Sequence, residues 1–263
     1  MSFIDEGQGR PLIFVHGTPS SSQEFLGLIQ GLSSEFRCLA LDHLGFGRSA
    51  KPASARYRVE DHTRRFRLWM RHLDIKDYDL YVSDFGGPIA LPFAIENPQR
   101  LKHLIISNSW LWPLEETQPS LKSQRFILTS WIFRWLYLKM NFSARYMVKA
   151  GWGKYRRLTP EHHAEFMAPF RNPRERLATW ALAKALFDPS ETCWADWQLL
   201  NRLSETQVLL AWGGADKFIR PTNLARWQKH LPQAQTLLLK DVGHFVPDEA
   251  SDLLLLKILK FLS

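Results

Sequence analysis

The chain has 263 residues, 45% of them hydrophobic and 13% aromatic, with 34 basic and 26 acidic side chains. That apolar fraction and a net charge of +8 exclude a disordered or low-complexity chain, and fit one large domain or a core with one sizeable insertion. Two cysteines, Cys38 and Cys193, are too few for a disulfide framework, so a reducing, cytoplasmic setting is expected.

Met1 to Gly7 has neither a basic start nor an apolar signal core, which argues against secretion. Short apolar runs follow at Leu12–Val15, Arg37–Leu41 and Asp79–Ser83, then at Leu101–Ser107, Gln207–Trp212 and Gln235–Leu239. Each is nearly continuous in Val, Ile, Leu or Phe, which predicts strands buried on both faces of a parallel sheet. Cys38 lies inside the second run and reads as a buried structural thiol. Helical spacing fills the intervals, as in Val59–Leu73, where Phe66, Trp69, Met70 and Leu73 share a face, and in Pro221–Leu231. Strands alternating with helices predict a doubly wound α/β fold, mostly parallel.

The alternation stops after residue 110. From Trp112 to Trp197 helical patterns are punctuated by prolines and contain no convincing strand, and the strand–helix rhythm resumes near Gln207. The predicted division is a core of residues 1–111 and 198–263 interrupted by a helical insertion, 112–197. Residues 121–180 carry twelve basic and three acidic side chains, a net +9, which leaves −1 for everything else. The greasiest stretch, Phe126 to Met140, is broken by Arg134 and Lys139, so nothing is expected to span a bilayer. No nucleic-acid motif accompanies the basic segment, whose charges read as a solvated outer face. Neither nucleic acid nor membrane is expected as a partner.

Ligands of open α/β sheets bind beyond the carboxyl ends of the strands. Those ends read His16-Gly17-Thr18-Pro19, Asp42-His43-Leu44-Gly45-Phe46-Gly47-Arg48-Ser49, Ser83-Asp84-Phe85-Gly86-Gly87, Gly213-Gly214-Ala215-Asp216 and Asp241-Val242-Gly243-His244-Phe245. The third is a strand–turn–helix elbow, in which glycines permit close backbone approach around a strained central residue. Serine usually occupies that centre; here it is Asp84. Capping of the following helix is the plainer role for an aspartate there. An aspartate and then a histidine in the order of a triad favour a nucleophile.

These motifs, taken in order, resemble those of the α/β-hydrolases. The aspartate at the elbow resembles the haloalkane dehalogenases and their relatives, among them the epoxide hydrolases. The resemblance covers nearly all of the core and implies that the insertion is a helical cap. An ionised aspartate can displace a leaving group from saturated carbon directly, forming an ester on its own carboxylate. His244 would activate water against that ester, and Asp216 would orient the imidazole and stabilise its cation. The backbone N–H groups of Thr18 and Phe85 are placed for an oxyanion hole. His16 reads as a structural buttress of its loop. In some relatives the acid follows the strand after the elbow, but Ser107-Asn108-Ser109 offers no carboxylate there. No metal or cofactor is expected; the implied substrate is a small apolar organic molecule and the product a halide.

The match departs at several positions. Dehalogenases commonly hold the halide with a Trp directly after the nucleophile, and with a second Trp or an Asn in the His-Gly-x-Pro loop. Phe85 and Thr18 stand there. The Thr18 hydroxyl, or an indole from Trp110, Trp112, Trp131 or Trp135, would have to supply the donor. Tyr137 and Phe245 complete the pocket candidates. Epoxide hydrolases usually need two cap tyrosines, and Tyr137, Tyr146 and Tyr155 keep that alternative open. A non-catalytic binding protein on a hydrolase scaffold is a further alternative. Relatives generally place one more strand ahead of Met1 to Gly7, so a sheet short of that edge strand is expected. Pro92, within the helix after the elbow, removes a backbone donor.

Overall fold

A computed structural model of the chain describes residues 1–187 and 192–263, the side chains of 192–195 excepted, so Cys193 lies outside the described side chains. All six apolar runs form strands, with one more ahead of them. In chain order these are β1 (Phe3–Glu6), β2 (Arg10–Val15), β3 (Phe36–Leu41), β4 (Tyr78–Ser83), β5 (Leu101–Ser107), β6 (Gln207–Gly213) and β7 (Gln235–Leu239). They make one seven-stranded sheet in the order β1-β3-β2-β4-β5-β6-β7, parallel except for β1. Among the described residues β1 lies at one edge of this sheet and β7 at the other. Burial on both faces fails for β7, where Leu238 is exposed. An edge strand has one neighbour, and the flanking layers cover it poorly.

The helices are α1 (Leu26–Leu32), α2 (Val59–His72), α3 (Gly86–Glu96), α4 (Ser120–Leu128), α5 (Trp131–Met140) and α6 (Val148–Gly151). They continue with α7 (Pro160–Met167), α8 (Leu177–Ala185), α9 (Pro221–His230), α10 (Val246–Glu249) and α11 (Ser251–Leu262). Successive strand residues point to opposite faces, so each central strand feeds two cores. Leu12, Phe14, Cys38, Ala40 and Tyr81 pack under α1 and α11. Ile13, Val15, Leu39, Leu41 and Val82 pack under α2, α3 and α9, where Phe66, Ile89 and Trp227 meet them. Cys38 is buried there as expected, its thiol pushed up to about 12 by burial and by Glu6. α3 runs through Pro92 and is buried along nearly its whole length.

Between β5 and β6 the described residues are helical, from α4 to α8, with a π-helical turn at Ser143–Met147. β2 and β4 are sheet neighbours, yet the chain leaves them in opposite directions, to β3 on one side and β5 on the other. This reversal opens a crevice above their carboxyl ends.

Candidate active site

The crevice holds the end of β2 against the end of β4. Asp84 terminates β4 with φ +49°, a left-handed backbone that side-chain-bearing residues rarely adopt. Its carbonyl accepts from Ser109 Oγ at 2.6 Å, which helps hold the turn. Two glycines make room. A Cβ on Gly86 would lie 2.0 Å from the Val15 carbonyl oxygen, and one on Gly17 would lie 2.1 Å from Asp84 Oδ2. With Gly17 bare, the Thr18 N–H donates to Asp84 Oδ2 at 2.8 Å. The Phe85 N–H, at the start of α3, makes no hydrogen bond to a described residue and remains available as a second donor. Asp84 is therefore held by its side chain across the crevice, beyond anything a helix cap would require.

The histidine that meets Asp84 comes from the loop after β7, three strands away across the sheet. His244 Nε2 lies 3.5 Å from Asp84 Oδ1, and its Nδ1 lies 2.8 Å from Asp216 Oδ2. All three side chains are buried. Burial disfavours the imidazolium, but the charge and hydrogen bond of Asp216, with those of Asp84, outweigh it and raise His244 well above the usual histidine range. Asp216 is itself anchored: Oδ1 accepts from the N–H groups of Phe218 (2.7 Å) and Ile219 (3.2 Å). Asn108 Nδ2 donates to Oδ2 of the same carboxylate, while Asn108 Oδ1 accepts from Gly213 N–H at 2.7 Å. The place after β5 thus holds an amide that supports Asp216.

Glu249, on α10, is fully buried. It accepts three backbone N–H groups, from Gly243 (2.9 Å), Gly153 (2.9 Å) and Tyr155 (3.1 Å). His244 N–H also donates to Gly151 O at 2.7 Å. The histidine loop is thereby tied to the helical segment. Asn108 and Glu249 were missed in the sequence; a carboxylate five residues after His244 was the one available signal for the second. His16 behaves as the expected buttress: Nδ1 donates to Gly17 O (2.7 Å) and Nε2 accepts from His43 N–H (3.0 Å).

Above Asp84 and His244 lies a cavity of about 310 Å³. Thr18, Phe85, Phe218 and Phe245 line its floor, and Leu128, Phe133, Tyr137 and Met147 come from the helical segment. The wall is largely apolar, with a few polar groups near the carboxylate, as small-molecule sites usually are.

The sequence model of the α/β-hydrolase fold matches residues 10–251. The chain belongs to the α/β-hydrolase fold family. Haloalkane dehalogenase 2 of Mycobacterium tuberculosis is 28% identical, across 95% of this chain and 87% of its own length. The cis-3-alkyl-4-alkyloxetan-2-one decarboxylase of Shewanella oneidensis is also 28% identical, across 100% of this chain and 85% of its own. The crystal structure of the haloalkane dehalogenase DatA from Agrobacterium tumefaciens C58 superposes with a TM-score of 0.85 at 23% identity, covering 98% of this chain and 92% of that one.

Within this α/β-hydrolase, Thr18, Phe85, Tyr137 and Phe245 line the cavity, whereas Trp110, Trp112, Trp131 and Trp135 are not among the described residues that line it. Trp110 is buried edge-on against Phe85, with ring centroids 4.9 Å apart. Trp112 donates its N–H to Asn223 Oδ1 at 2.9 Å. Trp131 and Trp135 face solvent. Helical spacing placed them in the insertion but could not tell its inner face from its outer one. Thr18 Oγ1 is buried without a hydrogen-bond partner among the described residues. Of the three tyrosines, Tyr137 alone lines the cavity; Tyr146 and Tyr155 are exposed, and Tyr155 donates to Asp252 at 2.8 Å. Burial and then the charge of Asp84 raise the Tyr137 hydroxyl, Ser143 pulling the other way, so it stays a proton donor.

Proposed function

We propose that the chain hydrolyses carbon–halogen bonds through an alkyl ester on Asp84, within a core of residues 1–111 and 198–263 covered by a helical cap, 112–197. The observation that carries this reading is the continuous line from the Thr18 N–H through Asp84 and His244 to Asp216, laid along the floor of an apolar cavity. An Asp84 oxygen bonds to saturated carbon as the carbon–halogen bond breaks, and halide leaves with the electron pair. Water then attacks the ester carbonyl while His244 Nε2 takes its proton. The N–H groups of Thr18 and Phe85 hold the oxyanion. Collapse releases the alcohol with the proton returned by His244, and the second water proton leaves to solvent as Asp84 regains its carboxylate. Asp216 fixes the proton on Nδ1 and stabilises the imidazolium between steps. The buried Thr18 hydroxyl and the Tyr137 hydroxyl are the donors for the departing halide, in place of indoles. The chemistry calls for no metal or cofactor, and the free, buried Cys38 fits a cytoplasmic setting.

A strained lactone is the second reading, favoured by the lack of an indole on the described cavity wall. Attack of Asp84 on the ring's saturated carbon would expel the ring carboxylate and needs no halide site. Epoxide opening is disfavoured, because no pair of tyrosines converges on the cavity among the described residues.

The test is His244→Phe, incubated separately with a short bromoalkane, a cis-3,4-dialkyloxetan-2-one and a styrene-type epoxide. Mass spectrometry of the peptide containing Asp84 should show an alkyl adduct from the bromoalkane. An adduct from the lactone alone would install the second reading. No adduct across a broad panel would overturn both.

A further inference from the structure

The stretch Phe126 to Met140, too charged to cross a bilayer, forms the second half of a helical hairpin whose outer surface is apolar and cationic. On α4, Leu121, Gln124 and Leu128 turn toward the cavity. On α5, Phe133 and Tyr137 pack inward with Phe142 and Trp180. The opposite faces are bare. Phe126 is 87% exposed, Ile127 64%, Trp131 78%, Ile132 54% and Trp135 49%, all within ten residues that bracket the turn at Thr129 and Ser130. Large apolar side chains exposed so close together are not ordinary surface.

Charge identifies what fits there. Lys122 and Arg125 on α4, with Arg134 and Lys139 on α5, are exposed beside the apolar groups. Trp131, Trp135 and Lys139 recur at four-residue spacing, which stacks them along one face of α5. No acidic residue occurs from Thr117 to Pro160. Aromatic side chains at the level of lipid headgroups, flanked by Lys and Arg, are the composition of a surface that lies in a membrane interface. A second copy of this chain fits poorly, because symmetric pairing through the patch would set the same four cations of each copy against one another. No described helix is long and apolar enough to cross a membrane, so the contact would be peripheral.

Against the expectation of a merely solvated face and no membrane partner, we propose that the outer face of the α4–α5 hairpin docks the protein on an anionic lipid surface, with the aromatic tip in the interface and the four cations over the headgroups. The inference rests on exposure and charge, and goes beyond the chemistry at Asp84. Because the inner faces of the same helices line the cavity, docking brings the cavity wall to the lipid, where apolar substrates concentrate.

Co-sedimentation of the intact protein with vesicles tests this. Binding should be strong to phosphatidylcholine vesicles carrying about 30 mol% phosphatidylglycerol and weak to phosphatidylcholine alone. It should fall as NaCl rises from about 0.05 to 0.5 M. Phe126→Ser with Trp131→Ser should lower binding about tenfold or more, and Lys122→Glu with Arg125→Glu by a similar factor. Both pairs are exposed, so melting temperature should hold. Leu256→Ser, an exposed apolar site on α11, should leave binding unchanged. Binding indifferent to phosphatidylglycerol, or unaltered by both double variants, would overturn the proposal. So would sedimentation velocity showing a dimer that the Phe126/Trp131 variant dissolves, with no vesicle binding; the patch would then be an interface between copies.

Discussion

The floor of the cavity and the hairpin above it invert the usual placement of side chains. At the floor Asp84 and His244, and behind it Asp216 and Glu249, are charged or polar groups taken out of water. On the hairpin, Phe126 and Trp131 are apolar groups left in it. The buried carboxylates are tolerable because most of their lone pairs meet donors: the Thr18 N–H for Asp84, two backbone amides and Asn108 for Asp216, three backbone amides for Glu249. Such a network is rigid, and any change within it leaves a buried group unpaired. The hairpin's outer face has no such constraint. Substitution there should cost stability little, so its composition answers to something outside the fold.

The comparison can be broken most decisively at Asp84. Asp84→Asn removes the proposed nucleophile, and turnover of a bromoalkane should fall by at least about four orders of magnitude with the fold unchanged by circular dichroism. Turnover within tenfold of wild type would mean that the floor is not where the chemistry happens.

Asp216→Asn should lower turnover by about three to four orders of magnitude, the imidazole losing the partner that fixes its tautomer. In the wild type, ester hydrolysis needs His244 neutral. Asp84 is esterified and uncharged at that step, which leaves Asp216 as the carboxylate that raises His244, so the acid limb of the hydrolytic step should move to lower pH in the variant. Adding Asn108→Asp should restore part of the activity, because Asn108 contacts the same carboxylate. No recovery would show that the place after β5 supports the acid without being able to replace it.

His62 gives a pH test of the core beside the site. It is fully buried, both ring nitrogens lack partners among the described residues, and burial with the nearby Arg65 lowers it to about 3. Its ring is neutral when folded but protonates in the unfolded chain near 6.5, so its contribution is complete above that pH and is lost as pH falls toward about 3. By pH 4 this amounts to roughly 3 kcal/mol. Urea unfolding of the wild type against His62→Leu should show the variant's stability falling less steeply between these limits.

Glu249→Gln, which places an amide against three N–H donors, should cost about 2–3 kcal/mol in urea unfolding. It should also slow ester hydrolysis, by about tenfold, more than ester formation, because the His244 loop loses its tie while Asp84 keeps its own. At the small end, Phe126→Ser should shift unfolding by no more than about 0.5 kcal/mol. A larger loss would mean that the hairpin's outer face is packed in solution after all.

Much of this was legible in the sequence. Each of the six apolar runs became a strand within one or two residues, and for the central strands the reason is that a doubly buried strand must be apolar throughout. Asp84, Asp216 and His244 were each visible from the glycines and strand ends beside them. The tryptophans were not. Trp131, Ile132, Phe133, Trp135, Leu136 and Tyr137 are apolar on every side of α5, so periodicity named a helix without naming its inner face.

By itself the sequence determined the α/β order, the strained elbow at Asp84 and the placing of Asp216 and His244 at strand ends further along the chain, because these follow from local sterics and strand burial. Only the tertiary structure decided that Asn108 would hold Asp216 across 108 positions, that Glu249 would gather amides from a distant segment at Gly153 and Tyr155 as well as from nearby Gly243, and that Tyr137 would face the cavity while Trp131 and Trp135 faced outward. Such choices depend on which surfaces meet when distant parts of the chain pack, and no local pattern encodes that meeting.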